Sequence, residues 1–286
     1  MTSGGMSIQV MLIVLLAAFL HASWNAVVKS SRDKFLDIVL VTGGSGLLSA
    51  VVLPFLPLPA PASWPYAAAS VAVHVGYFAL VAAAYRAGDM SFAYPVMRGT
   101  APLLVTIASG PLLGEYLGPG AWGGVLLICA GVLGMTLARS QGPAGASGNA
   151  TMLALANAAV IACYTFVDGM GVRLSGHAVA YTMWVFLITA LPLTAWAMLR
   201  RRTDLVAHCR SRWHFGAIGG ACTLGAYVLA LWAMTQAPVA LVAALRETSI
   251  LFATALSAVV LKERFGWTRH AAAAAVVAGA VVLKLS

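Results

Sequence analysis

Charge is what this chain has least of. Asp, Glu, Lys and Arg make up 9% of its 286 residues, and only 8 of them are acids. A soluble globular domain carries about a quarter of its residues charged, so that class is excluded. Cysteine is scarce as well. Cys129, Cys163, Cys209 and Cys222 show no CxxC or Cys/His spacing, and all but Cys209 fall in apolar runs. Buried thiols are therefore expected, not a metal site or a disulfide. The chain has no Walker loop, no HExxH and no GxSxG in a strand-to-helix setting, and no room for a nucleotide-binding domain. An enzyme is not expected, nor any cofactor or metal, and the chain does not power itself by ATP hydrolysis. Met1–Val10 lacks the basic region of a cleaved signal peptide, so the first apolar run is read as a permanent helix.

What is present is hydrocarbon. The chain is 61% hydrophobic with a mean hydropathy of +0.91. Runs of about 20 apolar residues, enough to cross the roughly 30 Å core of a bilayer, recur along its length. The expected fold class is all-α, a polytopic membrane protein. The short alternating segments of an outer-membrane barrel are not seen. Ten transmembrane helices are predicted, over 8–28, 36–56, 65–86, 91–113, 118–138, 151–171, 179–199, 214–235, 239–261 and 267–285. Proline-rich Pro57–Trp64 separates the second from the third. The Gly, Ser and Pro of residues 140–149 make a flexible linker between five helices and five.

The two halves repeat each other. Arg98-Gly-Thr-Ala-Pro-Leu-Leu leads to Gly114-Glu115 and Gly118, and Arg246-Glu-Thr-Ser-Ile-Leu-Phe leads to Lys262-Glu263 and Gly266. The offset is constant: 246 − 98, 263 − 115 and 266 − 118 all equal 148. Thr100/Thr248, Leu103/Leu251, Thr106/Thr254, Ser109/Ser257 and Gly131/Gly279 keep the same register. Gly76 and Ala84 match Gly225 and Ala233, and Ala22, Trp24 and Val27 match Ala162, Tyr164 and Val167. The expected domains are a five-helix repeat over 1–139 and a second over 150–286. An odd number of helices per repeat inserts the second copy upside down, which gives an inverted five-plus-five arrangement with a site expected at the repeat interface.

Lys and Arg give the orientation. Of the 17, Arg98 and Arg246 lie within apolar runs, and only Arg173 and Lys284 fall on the side of the even-numbered loops. The remaining 17 − 4 = 13, from Lys29, Arg32 and Lys34 through Arg86, Arg139, Arg200 to Arg202, Arg210 and Arg212 to Lys262, Arg264 and Arg269, flank the odd-numbered loops. This puts the odd loops in the cytoplasm and both termini outside an inner (plasma) membrane.

The candidate site starts from the two arginines. Each lies about seven residues into its helix, roughly 10 Å deep, farther than an arginine readily snorkels. A guanidinium at the helix centre costs about 2.5–3.5 kcal/mol on insertion scales, so it needs a partner, a pathway or a ligand. Planar guanidinium forks suit carboxylate, phosphate or phosphonate oxygens. The alternative is a pair of structural arginines, each tied to an acid. Pro95 and Pro102 bracket Arg98, so a bend that frees backbone carbonyls is expected there.

Glu247 adjoins Arg246, but helix neighbours point about 100° apart, which leaves Glu247 for another partner, Arg98 among the candidates. Glu247 and Asp168 are the proton-coupling candidates, whereas Glu115 and Glu263 suit capping or loop roles. His21, Asn25 and Lys29 share one face of the first helix at i, i+4 spacing. Trp24, Asn25, His74, Tyr77, Tyr227 and Trp232 are expected to line a cavity, although each also suits packing or a bond between helices. Gly43, Gly44 and Gly46, with Gly219 and Gly220, suit close helix contacts.

Trp24-Asn25-x-x-x-Lys29, Pro95 ahead of Arg98, and in each half an apolar helix ending in Gly-Glu or Lys-Glu before a glycine form an ordered set. It resembles the EamA-type, ten-helix branch of the drug/metabolite transporter superfamily over nearly the whole chain. The resemblance implies an inverted bundle, alternating access and a central cavity lined from both halves. Such proteins move amino acids, sugars, purines and other small metabolites. His21-Ala-Ser-Trp-Asn25 with the arginine pair also resembles a subgroup associated with phosphonate-utilisation genes. Many relatives are expected to keep both termini inside, so the charge count departs from the family. Helix one lacks the acid that small multidrug exporters of the superfamily use for cations, which argues against a lipophilic cation. The expectation is a secondary transporter of a small metabolite with an anionic group, amino acid- or phosphonate-like. Its partners are that metabolite, the bilayer and protons, with no nucleic acid. The rival is a non-transporting membrane subunit whose arginines brace the bundle.

Overall fold

The computed structural model describes residues 6–29, 33–87, 90–137, 148–261 and 266–286. The regular structure among them is helical: α1 (Ile8–Lys29), α2 (Lys34–Val52), α3 (Trp64–Ala87), α4 (Met90–Leu113), α5 (Pro119–Leu137), α6 (Gly148–Ser175), α7 (Ala178–Gln236), α8 (Val239–Arg246), α9 (Ser249–Leu261) and α10 (Trp267–Leu285). Two 3-10 turns, Leu53–Phe55 and Pro61–Ser63, carry the chain from α2 to α3. Most of the expected linker lies outside the described residues, as do Arg32, Arg139, Lys262, Glu263, Arg264 and the side chains of Lys29, Arg86 and Ser257.

Among the described residues, seven segments are long and apolar enough to cross a membrane. The burial pattern fits a hydrocarbon solvent. Leu47, Val51, Ile107, Leu112 and Leu191 are exposed, while Ser45, Ser49, Ser70, Ser109 and Asn157 are buried. Large apolar side chains thus face outward, and small or polar ones make the helix contacts, as in a bundle dissolved in lipid. The chain is a multi-pass integral membrane protein.

Two sequence expectations are corrected. The seventh and eighth predicted helices meet in α7, 59 residues in all, through kinks at Arg201 and Arg212, where the backbone is non-helical; the kinks bracket the expected loop, and the correction is that residues 202–211 between them are helical. The stretch between them has no Gly or Pro to stop a helix, and its Leu205 is buried with Leu36, Val39 and Ala197. Both irregular arginines bind the start of α2: Arg201 reaches Asp33 at 2.7 Å and Arg212 reaches Asp37 at 3.2 Å. Asp37, buried, also meets His208 Nε2 at 2.5 Å. Asp33 caps α2 by accepting the Leu36 N–H. Burial works against its charge, but that N–H, Arg201 and nearby His208 more than offset it and hold the carboxyl below its ordinary pKa.

The second correction is that the ninth predicted helix is interrupted. α8 stops at Arg246 and α9 restarts at Ser249. Across the gap Glu247 N–H bonds back to Ala244 and Thr248 N–H to Leu245, the tighter three-residue pattern of a turn. The prolines of α4 do not break it: the helix holds Pro95, Pro102 and Pro111 within its span. Among the cysteines, all free, Cys163 is exposed on the helix surface instead of buried.

By contacts the chain divides into two compact units. One comprises Met1–Leu15, Gly76–Phe166 and Gln236–Ser286, and the other Leu16–Val75 with Val167–Thr235. In the first, α5 packs along α10 and against α4, and α8 lies on both α4 and α5. The α5–α10 seam is backbone against backbone: a Cβ on Gly279 would lie 2.7 Å from the Gly124 carbonyl. In the second, α2 meets α7 the same way, with a Cβ on Gly44 placed 2.4 Å from the Gly216 carbonyl and one on Gly220 2.7 Å from Ser45 N. Any side chain at these glycines would force the helices apart.

Candidate functional site

The first unit buries three charged groups side by side. Arg98 on α4 is 7% exposed, Arg246 at the end of α8 8%, and Glu247 in the gap 5%. Arg98 Nε lies 2.9 Å from Glu247 Oε2. Glu247 thus finds Arg98, the candidate that its place beside Arg246 left open. The pairing is close but poorly aligned. Neither Nε–H nor the Nη2 group of Arg98 points at an acceptor, so two buried donors go without a hydrogen bond. Such donors are costly and uncommon in a folded interior.

Local structure delivers these groups. Gly114, at φ +69, ends α4 in a conformation that glycine adopts without strain. Glu115 then turns back, and its Oε2 accepts the Val239 N–H at 2.8 Å, capping the N-terminus of α8. Eight residues later α8 runs out at Arg246. On α4, Pro102 stands four residues after Arg98 and has no N–H to offer, so the Arg98 carbonyl lacks its usual helical donor.

The three groups border a small, partly open cavity whose free volume, about 10 Å³, is of the order of one water molecule. Ala101, Pro102 and Val105 line it from α4, Ile161, Tyr164 and Thr165 from α6, and Ala243 from α8. Tyr77 stacks edge-on against Tyr164, ring centres 5.8 Å apart. Tyr77, Tyr94 and Tyr164 all lie within electrostatic range of the Arg98 guanidinium. With two guanidiniums and one carboxylate, the formal charge around the cavity is 2 − 1 = +1.

A second polar cluster lies in the other unit. Asp168 on α6 is fully buried. Its carboxylate accepts from Tyr227 Oη at 2.5 Å and Tyr181 Oη at 3.3 Å. Ser70 bonds to it as well, and His74 lies within electrostatic range of it. His74 Nδ1 sits 2.9 Å from the Ser70 carbonyl and 3.2 Å from its hydroxyl. The His74 ring also stands edge-on to Tyr227 at 6.0 Å.

The expected site residues therefore separate. Arg98, Arg246 and Glu247 share the cavity, with Tyr77 behind its wall, while Asp168, His74 and Tyr227 form the hydroxyl-rich cluster. Trp24 and Asn25 are occupied within α1: the indole N–H donates to His21 Nδ1 at 3.2 Å and the Asn25 amide to the His21 carbonyl at 2.8 Å. Trp232 is half-buried on α7. Tyr164, Thr165, Tyr181 and Ser70 were missed. Tyr164 had a signal, because it stands where the first repeat has Trp24.

Comparison with known proteins bears on this geometry. The model of the EamA-like transporter family matches twice, over residues 8–137 and 149–285. The chain belongs to the EamA-like transporter family. Two matches that between them take in nearly every residue also account for the register shared by the two arginine segments. Chains of solved structures are similar too, 26 in number. One, described only as the crystal structure of a protein, is 22% identical, with a TM-score of 0.78 over 97% of this chain and 96% of that one. At that identity the likeness is one of fold. No curated protein matches. An EamA-like protein is a membrane transporter.

Proposed function

We propose that this EamA-like protein is a secondary transporter of a small organic metabolite bearing an anionic group, an amino acid or a phosphonate. The observation that carries the reading is the unfilled hydrogen-bonding capacity of Arg98, buried beside a cavity that Arg246 also borders. A guanidinium fork with donors to spare at Arg98, in a pocket of net positive charge, favours a planar or tetrahedral oxyanion.

In this reading ten helices form an inverted five-plus-five repeat in an inner membrane, with odd loops cytoplasmic and termini outside. Transport runs by alternating access about the site at Arg98 and Arg246. Tyr77 buttresses the pocket wall, and Glu247 and Asp168 are the groups able to carry a proton. In the same reading Trp24, Asn25, His74, Tyr227 and Trp232 serve the transport path.

A second reading has one observation in its favour: Arg98 already holds a buried carboxylate. There the protein is a non-transporting membrane subunit and the arginines brace the bundle. A thermal-shift screen of purified protein against amino acids, phosphonates, phosphorylated metabolites and lipophilic cations separates the two. On the transport reading an anionic compound stabilises the wild type but neither Arg98→Gln nor Arg246→Gln. Folded variants that bind everything the wild type binds would sink it.

A further inference from the structure

Resting on the anion-site reading above, we infer that Glu247 is an internal substitute for the transported anion: ligand oxyanion and Glu247 carboxylate take turns on Arg98, and Glu247 takes up one proton when displaced. The site as it stands contains the resting half of that exchange. Arg98 holds Glu247 through a single close contact, and its Nε–H and Nη2 donors stay unaligned. A resident carboxylate that used the fork fully would have to be displaced from two good hydrogen bonds. This one is displaced from a poor one.

Glu247 is also placed where movement is easy. It lies in the gap between α8 and α9, outside the regular ladder of either helix. Rotating it off Arg98 strips no side-chain bond from a helix interior, and the cavity that receives the ligand is the one it borders.

Once displaced, the carboxylate has few ways to keep its charge. The groups that face it among the described residues are Arg98 and Tyr94 on α4, Tyr164 on α6, Arg246 on α8 and Cys129 on α5. With Arg98 taken by the ligand, and Arg246 drawn to the same anion, no cation is left for it alone. A lone carboxylate at this depth neutralises instead of staying charged. The proton comes from hydronium or buffer acid in the solvent on whichever side the site is open: the donor's bond to that proton breaks as the O–H bond on Glu247 forms. Before exchange the site holds two guanidiniums and one carboxylate; afterwards it holds two guanidiniums, one bound anion and a neutral Glu247. The charge stays at 2 − 1 = +1, so a monoanion and a proton enter and leave together.

The test uses purified wild type and Glu247→Gln with acetate and methanesulfonate as probes, monoanions that do not titrate between roughly pH 6 and roughly pH 8. Proton uptake is read from an indicator dye in weak buffer, and affinity by calorimetry across that range. The expected result is close to one proton taken up per probe bound by the wild type, with affinity falling up to about tenfold per pH unit. Glu247→Gln binds the same probe with no proton uptake and no pH slope. Binding by the wild type without proton uptake overturns the exchange while leaving the anion site intact. So does a folded Glu247→Gln that keeps the wild-type pH slope or loses the probe altogether. If Glu247→Gln does not fold, the uptake and slope of the wild type decide alone. A wild type that binds none of the probes, nor any anion in the wider screen, overturns the anion site and the exchange together.

Discussion

The two copies of the duplicated arginine segment have diverged at one residue, and their structures have diverged with it. Arg98-Gly99-Thr100 and Arg246-Glu247-Thr248 stand 148 residues apart. In the first copy the helix runs on through Leu113, and Gly99 is pressed against α5, where a Cβ would lie 2.7 Å from Leu133 Cγ. In the second copy a carboxylate takes the glycine's place, the helix stops, and the acid turns to the arginine of the other copy. Duplication supplied two buried cations, and the divergence of the following residue supplied one counter-ion for them.

The largest test of that division removes a cation. Arg98→Met leaves Glu247 buried without its partner and is expected to cost about 3–5 kcal/mol of stability. Arg98→Met combined with Glu247→Met fills the same space without charge and should regain most of the loss. Both lose anion binding. Unfolding of the single and double variants in detergent gives the coupling directly. A double variant no more stable than Arg98→Met would mean that the two copies do not share a counter-ion.

Next in size is the glycine of the first copy. Gly99→Ala puts a methyl group 2.7 Å from Leu133 Cγ and 3.4 Å from the Cys129 carbonyl. Leu133 is able to give way only partly, so a loss of about 1–3 kcal/mol is expected. The corresponding second-copy change, Glu247→Ala, removes no steric fit but strands Arg98 without a carboxylate. The comparison sharpens if Leu133→Ala relieves Gly99→Ala and leaves the cost of Glu247→Ala untouched.

Helix positions were legible in the sequence because apolar length alone determines what crosses a bilayer. α1, α3, α4, α5 and α10 begin and end within a few residues of the expected spans. The helical stretch between the kinks of α7 was not, because residues 202–211 look like a charged loop and carry their helix-making contact, Leu205 on Leu36 and Val39, far away in sequence. The interruption at Glu247 was missed for a related reason. Three prolines in α4 advertise a bend that does not break the helix, whereas the segment that does break holds no proline or glycine. Its cause is the partner on α4, and a partner 149 residues away (247 − 98) leaves no local mark. The arginines were legible as a pair because charge at that depth is expensive. Tyr164 and Tyr181 were not, since an aromatic in a membrane helix reads as packing until its neighbours are known.

The smallest effect expected comes from the threonines that follow. Thr248 is buried, and its hydroxyl donates to the Leu245 carbonyl at 2.7 Å, bridging the gap after Arg246. Its repeat mate Thr100 is half-buried in an unbroken helix. Valine keeps the shape of threonine and loses the donor. At Thr248 the substitution removes a bond that closes the turn, and a cost of about 0.5–1.5 kcal/mol follows. At Thr100 the helix ladder supports the backbone, so the change should stay within roughly 0.5 kcal/mol of the wild type. Equal costs at the two positions would mean that the interruption has no energetic signature of its own. A larger cost at Thr248, with weaker anion binding, would tie the shape of the gap to the setting of Glu247 on Arg98. Weaker binding is expected because a turn that no longer holds its form leaves Glu247 free to occupy the arginine in a better-aligned, more competitive geometry.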